Sequence, residues 1–192
     1  MRNFLLKCSR AVFKWPPSPV TYVEKMDLIT RKRREFGLNV FVETGTFRGG
    51  MLEAQRANFQ RLISIELNEE LFQAARLKFA GDPQIKLLQG DSGVKLTAAV
   101  QGLDEPALFW LDAHYSAGVT AGGGEAAPII KELSCLKSRS GFKDVILIDD
   151  ARLFGLKSDY PKLDVIRKFA SRHWPQHTFT IESDAICILP PR

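Results

Sequence analysis

Cysteine is scarce. Cys8, Cys135 and Cys187 are the only three in 192 residues, and they stand far apart, with no CxxC pair and no Cys/His spacing that ligates zinc. Neither a disulfide framework nor a zinc site is indicated, and a reducing cytoplasm is the expected setting. Cys135 and Cys187 lie among apolar residues and read as small core hydrophobes. Long apolar runs are lacking too. No stretch approaches the roughly 20 residues that cross a bilayer, and the segment from Met1 to Trp15 is broken by Lys7, Arg10 and Lys14. Internal repeats, low-complexity blocks and a central Pro/Gly-rich linker are also absent, so one soluble, compact unit is expected.

Charge is unevenly placed. The net charge is +5, but residues 1–40 carry nine Lys/Arg against three Asp/Glu, and the remainder carries 18 against 19. The excess is N-terminal and includes Arg31, Lys32, Arg33 and Arg34. A solvated helix face accounts for it, and no aromatic interleaving points to nucleic acid. Dimerisation, contact with a membrane surface and plain solubility stay open as roles for this stretch. Residues 1–37 read as a basic helical extension and 38–192 as the main domain.

What is present is alternation. Short apolar runs recur at Asn39 to Val42, Leu62 to Ile65, Ile85 to Leu88, Ala107 to Leu111 and Val145 to Ile148, each too continuous for a strand buried on one face only. Helical spacing fills the intervals. Glu69 to Ala80 is capped by Asn68 and stopped by Gly81; Ser92 caps a helix through Val100; Glu125 to Ser138 is amphipathic; Ser158 or Asp159 before Pro161 opens a helix to about His173; Ser18 before Pro19 opens one near the N-terminus. Thr178 to Ile181 and Ala185 to Leu189, parted by Glu182, Ser183 and Asp184, form a hairpin. The expected fold is α/β: a doubly wound, Rossmann-like, mostly parallel seven-stranded sheet with helices on both faces and a C-terminal antiparallel hairpin.

Ligands of open α/β sheets bind beyond the carboxyl ends of the strands. The first strand ends in Glu43, Thr44, Gly45, Thr46, Phe47, Arg48, Gly49 and Gly50, a glycine-bearing turn that lets backbone approach a ligand. The second ends in Glu66 and Leu67. Glu66 falls 23 residues after Glu43, near the ~20-residue spacing at which an acid reaches a ribose hydroxyl. The third ends in Gly90, Asp91 and Ser92. Three acids then face one crevice, which disfavours a pyrophosphate and favours the sulfonium and ammonium of S-adenosylmethionine. The GxGxxG of dinucleotide sites is missing.

With the antiparallel hairpin closing the sheet, these strand ends resemble the class I S-adenosylmethionine-dependent methyltransferases over about residues 38–190. Glu43 and Gly45 match that family's first motif, with Phe47 at its usual second glycine, as in the catechol-type enzymes. The resemblance implies cofactor contacts from Glu43, Thr44, Gly45, Thr46, Gly49, Glu66, Leu67, Gly90, Asp91, Ser92 and Asp112. The fourth strand ends in Asp112, Ala113, His114 and Tyr115, and the fifth in Asp149, Asp150, Ala151 and Arg152. This looks like the metal-dependent O-methyltransferases of catechol, caffeoyl-CoA and macrolide-sugar type, in which acids at these positions hold Mg²⁺. Asp112, Asp149 and Asp150 match position by position, except that Asp150 replaces a neutral Asn. His114 matches the family's base, and Asp150 is a second candidate for that role.

The bland readings are that Asp149 and Asp150 cap a short helix and that Glu66 or Asp91 caps the helix after it. The Ser116 to Gly124 run reads as a closing lid or a plain surface loop, and Arg152, Tyr115, Lys157 and Tyr160 as acceptor-side candidates. The expected activity is O-methylation of a small or sugar-like hydroxyl, Mg²⁺-assisted. A looser likeness ties the chain to bacterial proteins that modify glycosides and surface polysaccharides. Three rivals stand beside this: a metal-independent methyltransferase using His114 alone, a non-catalytic cofactor-binding scaffold, and an NAD or nucleotide-sugar enzyme.

Overall fold

The computed structural model describes residues 20–112, 128–156 and 160–192. Their seven strands are β1 (Val40–Thr44), β2 (Arg61–Glu66), β3 (Ile85–Gln89), β4 (Ala107–Leu111), β5 (Val145–Ile148), β6 (Thr178–Glu182) and β7 (Ala185–Leu189). They form one sheet in the order β3-β2-β1-β4-β5-β7-β6. The first five are parallel, and β7 runs antiparallel between β5 and β6. Every residue of β1, β4, β5 and β7 is buried, because helices cover both faces and neither side of these strands meets water.

Alternate side chains feed two cores. One contains Val40, Val42, Phe109, Leu111, Ile146 and Ile148, packed with α4 (Ser92–Val100), α5 (Pro128–Cys135) and α6 (Leu163–His173). The other contains Phe41, Leu62, Leu108, Trp110, Leu147 and Cys187, packed with α1 (Tyr22–Phe36), α2 (Gly50–Gln55) and α3 (Glu69–Lys78). Leu28 and Ile29 bring α1 into this second core with no exposed surface. Cys187 is fully buried there, as expected of a core hydrophobe, and burial pushes its thiol up to about 12. No helix among the described residues is long and apolar enough to cross a membrane.

Several helix ends differ from those expected. The N-terminal helix opens at Tyr22, because Thr21 is extended and closes a capping box with Glu24; Ser18 lies outside the described residues. The cap of α4 is Asp91, whose carboxylate accepts from the Gly93 N–H at 2.7 Å, while Ser92 is already helical. The third helix stops at Lys78 rather than Ala80. The fifth is described from Pro128 and tightens into a 3-10 turn at Leu136–Arg139, Glu125 being outside the described residues. The sixth starts at Leu163 after an extended Lys162; Ser158 and Asp159 are not among the described residues.

Candidate functional site

Strand register lines up the sheet's carboxyl ends. Thr44 on β1 stands level with Ile65 of β2 and Leu111 of β4, and Leu111 with Ile148 of β5. Glu66, Asp112 and Asp149 therefore leave the sheet side by side. The Asp112 N–H donates to Thr44 Oγ1 at 3.2 Å and the Asp149 N–H to the Leu111 carbonyl at 3.0 Å, fixing both acids to the rim.

The β1 turn is built for close approach. Gly45 has φ +85°, a conformation that side chains rarely adopt, and a Cβ there would lie in van der Waals contact with the Asp112 side chain at 3.4 Å. Phe47 adopts φ +50°, a conformation that glycine takes without cost and phenylalanine does not. Glu66 holds it: one carboxylate oxygen accepts from the Phe47 N–H at 2.7 Å and the other from the Asn68 N–H at 2.8 Å. Each oxygen retains a lone pair for a further donor such as a ribose hydroxyl. Leu67 and Gly90 flank Glu66, partly buried; Asp91 is exposed. Asp91 therefore caps α4 and still faces solvent at the rim.

Glu43 lies deeper than the sequence suggested. It is 1% exposed, accepts from Ser64 Oγ at 2.7 Å, and Ser64 pairs in turn with Thr46 Oγ1 at 2.5 Å. Burial, reinforced by the negative charges of Asp112 and Glu66, pushes its carboxyl up to about 8 despite the Ser64 bond. Its carboxyl therefore holds its proton to higher pH than an ordinary carboxyl does.

Glu132 of α5 was not anticipated. Its carboxylate accepts from Ser92 Oγ at 2.5 Å, is 2% exposed, and is pushed up to about 7 by burial, with Asp112 and Asp91 adding to the rise and the Ser92 and Thr44 hydroxyls opposing it. The signal was its position in the apolar stripe of Ile129, Leu133 and Leu136.

On the β4/β5 side, one carboxylate oxygen each from Asp112, Asp149 and Asp150 lies within 4.8 Å of the others. Asp150 has φ +55° and stands before the 3-10 turn Ala151–Leu153 without a side-chain capping bond, so the helix-cap explanation does not account for it. Burial raises Asp149 to about 6, partly opposed by Lys25 and aided by Asp150 and Asp112. Arg152 binds Asp150 at 2.8 Å and also the buried Asp184. Tyr160 packs edge-on against Phe154 with ring centres 5.2 Å apart. A further residue enters from α1: Lys25 Nζ lies 2.7 Å from Asp149 Oδ2 and 3.4 Å from Asp150 Oδ1. Nothing in the sequence pattern foretold it. His114, Tyr115, the Ser116 to Gly124 run and Lys157 lie outside the described residues.

No family model and no curated protein sequence matches this chain. Solved structures do match. The chain is similar to the O-methyltransferase TomG from Streptomyces achromogenes, involved in tomaymycin synthesis and solved with S-adenosylmethionine. The identity is 15%, over 91% of this chain and 83% of that one, with a TM-score of 0.61. It is similar to an S-adenosylmethionine-dependent methyltransferase from Clostridium acetobutylicum at 11% identity, over 90% and 93% of the two chains, TM-score 0.61. Methyltransferase PaMTH1 from Podospora anserina, solved with S-adenosylhomocysteine, matches at 13% identity over 88% and 78%, TM-score 0.58. The fold is that of the class I S-adenosylmethionine-dependent methyltransferases.

Proposed function

We propose that the protein is an S-adenosylmethionine-dependent methyltransferase that methylates a hydroxyl on a small or sugar-like acceptor. The observation that carries this is the convergence of Glu43, Glu66, Asp112, Asp149 and Asp150 on one rim of a class I methyltransferase sheet. A rim of acids suits a cationic donor and repels a dinucleotide's pyrophosphate. The open turn at Gly45 and the buried carboxyl of Glu43, whose ionisation a neighbouring cation would favour, fit such a ligand, which supplies an electrophilic methyl group on sulfur. Glu66 would take the ribose hydroxyls, Thr44, Gly45, Thr46 and Gly49 would line the backbone-accessible turn, and Leu67, Gly90, Asp91 and Ser92 would border the adenine.

The acceptor side is the acid trio. Hard carboxylate oxygens at these separations suit a divalent ion such as Mg²⁺, which would lower the pKa of a bound acceptor hydroxyl. Asp112, Asp149 and Asp150 would hold it and orient the acceptor, with His114 or Asp150 taking the hydroxyl proton. Lys25 favours a second reading, metal-independent transfer, because its ammonium already neutralises part of the trio. A cytoplasmic setting is part of this reading, and no helix among the described residues is long and apolar enough to cross a membrane.

Calorimetry with S-adenosylhomocysteine tests the cofactor half. Wild-type protein binds it, and Glu66→Ala weakens binding by at least about tenfold, since a lost charge-assisted hydrogen bond is worth roughly 1.5–3 kcal/mol. Binding of NAD in preference to S-adenosylhomocysteine overturns the reading. Methyl transfer to a hydroxyl library, with and without chelator, then separates the two acceptor-side readings.

A further inference from the structure

Lys25 sits one turn into α1, 124 residues from Asp149 in sequence, yet its ammonium is lodged among the acids at the ends of β4 and β5. Side-chain exposure is 15% for Lys25, 8% for Asp149 and 3% for Asp150, so these charges meet with little water between them. Carboxylates so poorly hydrated are costly unless a cation or hydrogen-bond donors compensate them. Here Lys25 compensates Asp149, and Lys25 and Arg152 together compensate Asp150.

We propose that Lys25 is a tethered counter-cation that competes with a divalent metal ion for the oxygens of Asp149 and Asp150, and thereby sets the metal affinity of the acceptor site. This rests on the metal-assisted reading of the acid trio. A small divalent ion must sit about 2.0–2.6 Å from its carboxylate oxygens, and on Asp149 one oxygen already carries the ammonium at 2.7 Å while the other accepts from the Asp150 N–H at 2.7 Å. Two cations within about 4 Å of each other in a poorly hydrated pocket repel strongly, so entry of the metal requires Lys25 to withdraw. The four-carbon stem of lysine permits this without movement of the helix axis, because the ammonium can swing to solvent while its methylenes stay packed. Lys25 is a positioning residue in this scheme. Its ammonium, ion-paired to two acids, has no free pair to act as a base.

Mn²⁺ titration by calorimetry on the full chain, free of acceptor, tests the competition. Lys25→Met is expected to bind Mn²⁺ at least about tenfold more tightly than wild type, whereas Lys25→Arg, which keeps the cation, stays near the wild-type value. Lys25→Gln, uncharged but still a hydrogen-bond donor, is measured beside them so that a folding defect in Lys25→Met does not decide the matter. Thermal unfolding gives a second readout: Mn²⁺ raises the midpoint of the uncharged variants more than that of wild type. Equal Mn²⁺ affinity in wild type and both uncharged variants overturns the competition but leaves the metal site standing. No Mn²⁺ binding by any variant overturns the metal-assisted reading along with it.

Discussion

A carboxyl group taken out of water stays ionised only where hydrogen bonds or a positive charge hold it so. Glu132 has hydroxyl partners, no cation among the described residues offsets its burial, and that burial pushes its carboxyl up to about 7 from the ordinary 4.5. Between these values the native state binds more protons than the unfolded chain, so stability falls as pH rises through that window and the penalty is fully developed above it. Glu132→Gln keeps the size and the bond to Ser92 while abolishing the charge. The variant is expected to be more stable than wild type by about 1–3 kcal/mol at pH 8 and no more stable at pH 5. Denaturant unfolding at the two pH values checks this, and an equal effect at both would show that the carboxyl does not titrate there. Legibility at this scale followed backbone geometry. Glu43, Glu66, Asp112, Asp149 and Asp150 could be read because each sits where an apolar run ends, which marks the sheet's rim. Lys25 and Glu132 arrive from helices, and which helical side chains reach the rim depends on packing angles that no local pattern records.

Elements depend on one another in the same way. The β6–β7 hairpin turns on Ser183 and Asp184, both with positive φ, 47° and 58°, as a two-residue turn of this hand requires but without the glycine that usually provides it. The Asp184 side chain offsets that strain. It accepts from the Arg152 N–H at 2.9 Å and pairs with the Arg152 guanidinium, while the Asp184 carbonyl accepts from the Ala151 N–H at 2.7 Å. The turn thus holds the segment that follows Asp150. Asp184→Ala is expected to cost about 2–3 kcal/mol, because it strips a buried partner from Arg152 and leaves that backbone N–H unpaired. It should also weaken Mn²⁺ binding where a mutation of equal cost elsewhere does not; an unaltered metal affinity would separate the turn from the site. The hairpin itself was readable from its flanking β-rich runs. Its loop proved one residue shorter than expected because Glu182 continues β6. The α4 cap shifted from Ser92 to Asp91 for a similar reason: adjacent residues of equal capping ability are distinguished only by where the chain leaves extended geometry, and Asp91 has ψ 123°.

Across the whole molecule, the proposed binding rim and a buried ion-pair clamp lie at opposite ends of the sheet. The architecture could be read from alternation alone, since parallel strands demand helical crossovers and buried strands demand apolar runs. The device at the far end could not. There Arg139 grips Asp144 through two hydrogen bonds of 2.9 and 2.8 Å and donates to the carbonyls of Leu103 at 2.6 Å and Glu105 at 2.7 Å, while Asp144 also accepts from the Ala107 N–H at 2.8 Å. The two residues are only five apart in sequence and look like ordinary loop charges, yet they are 3% and 1% exposed, and their clamp fastens the start of β4 to the approach to β5. Asp112 lies five residues beyond Ala107 along β4, about 16 Å at the usual rise, beyond the range at which substitutions ordinarily couple. Arg139→Met leaves Asp144 buried without its counter-charge and is expected to cost roughly 3–5 kcal/mol, a fall in unfolding midpoint on the order of 10 °C for a chain of this size. Affinity for S-adenosylhomocysteine, measured below that midpoint, should stay within about twofold of wild type. Loss of affinity in parallel with stability would mean that the rim is held in shape by the whole sheet, and that acids gathered at its carboxyl end are not an independent binding unit.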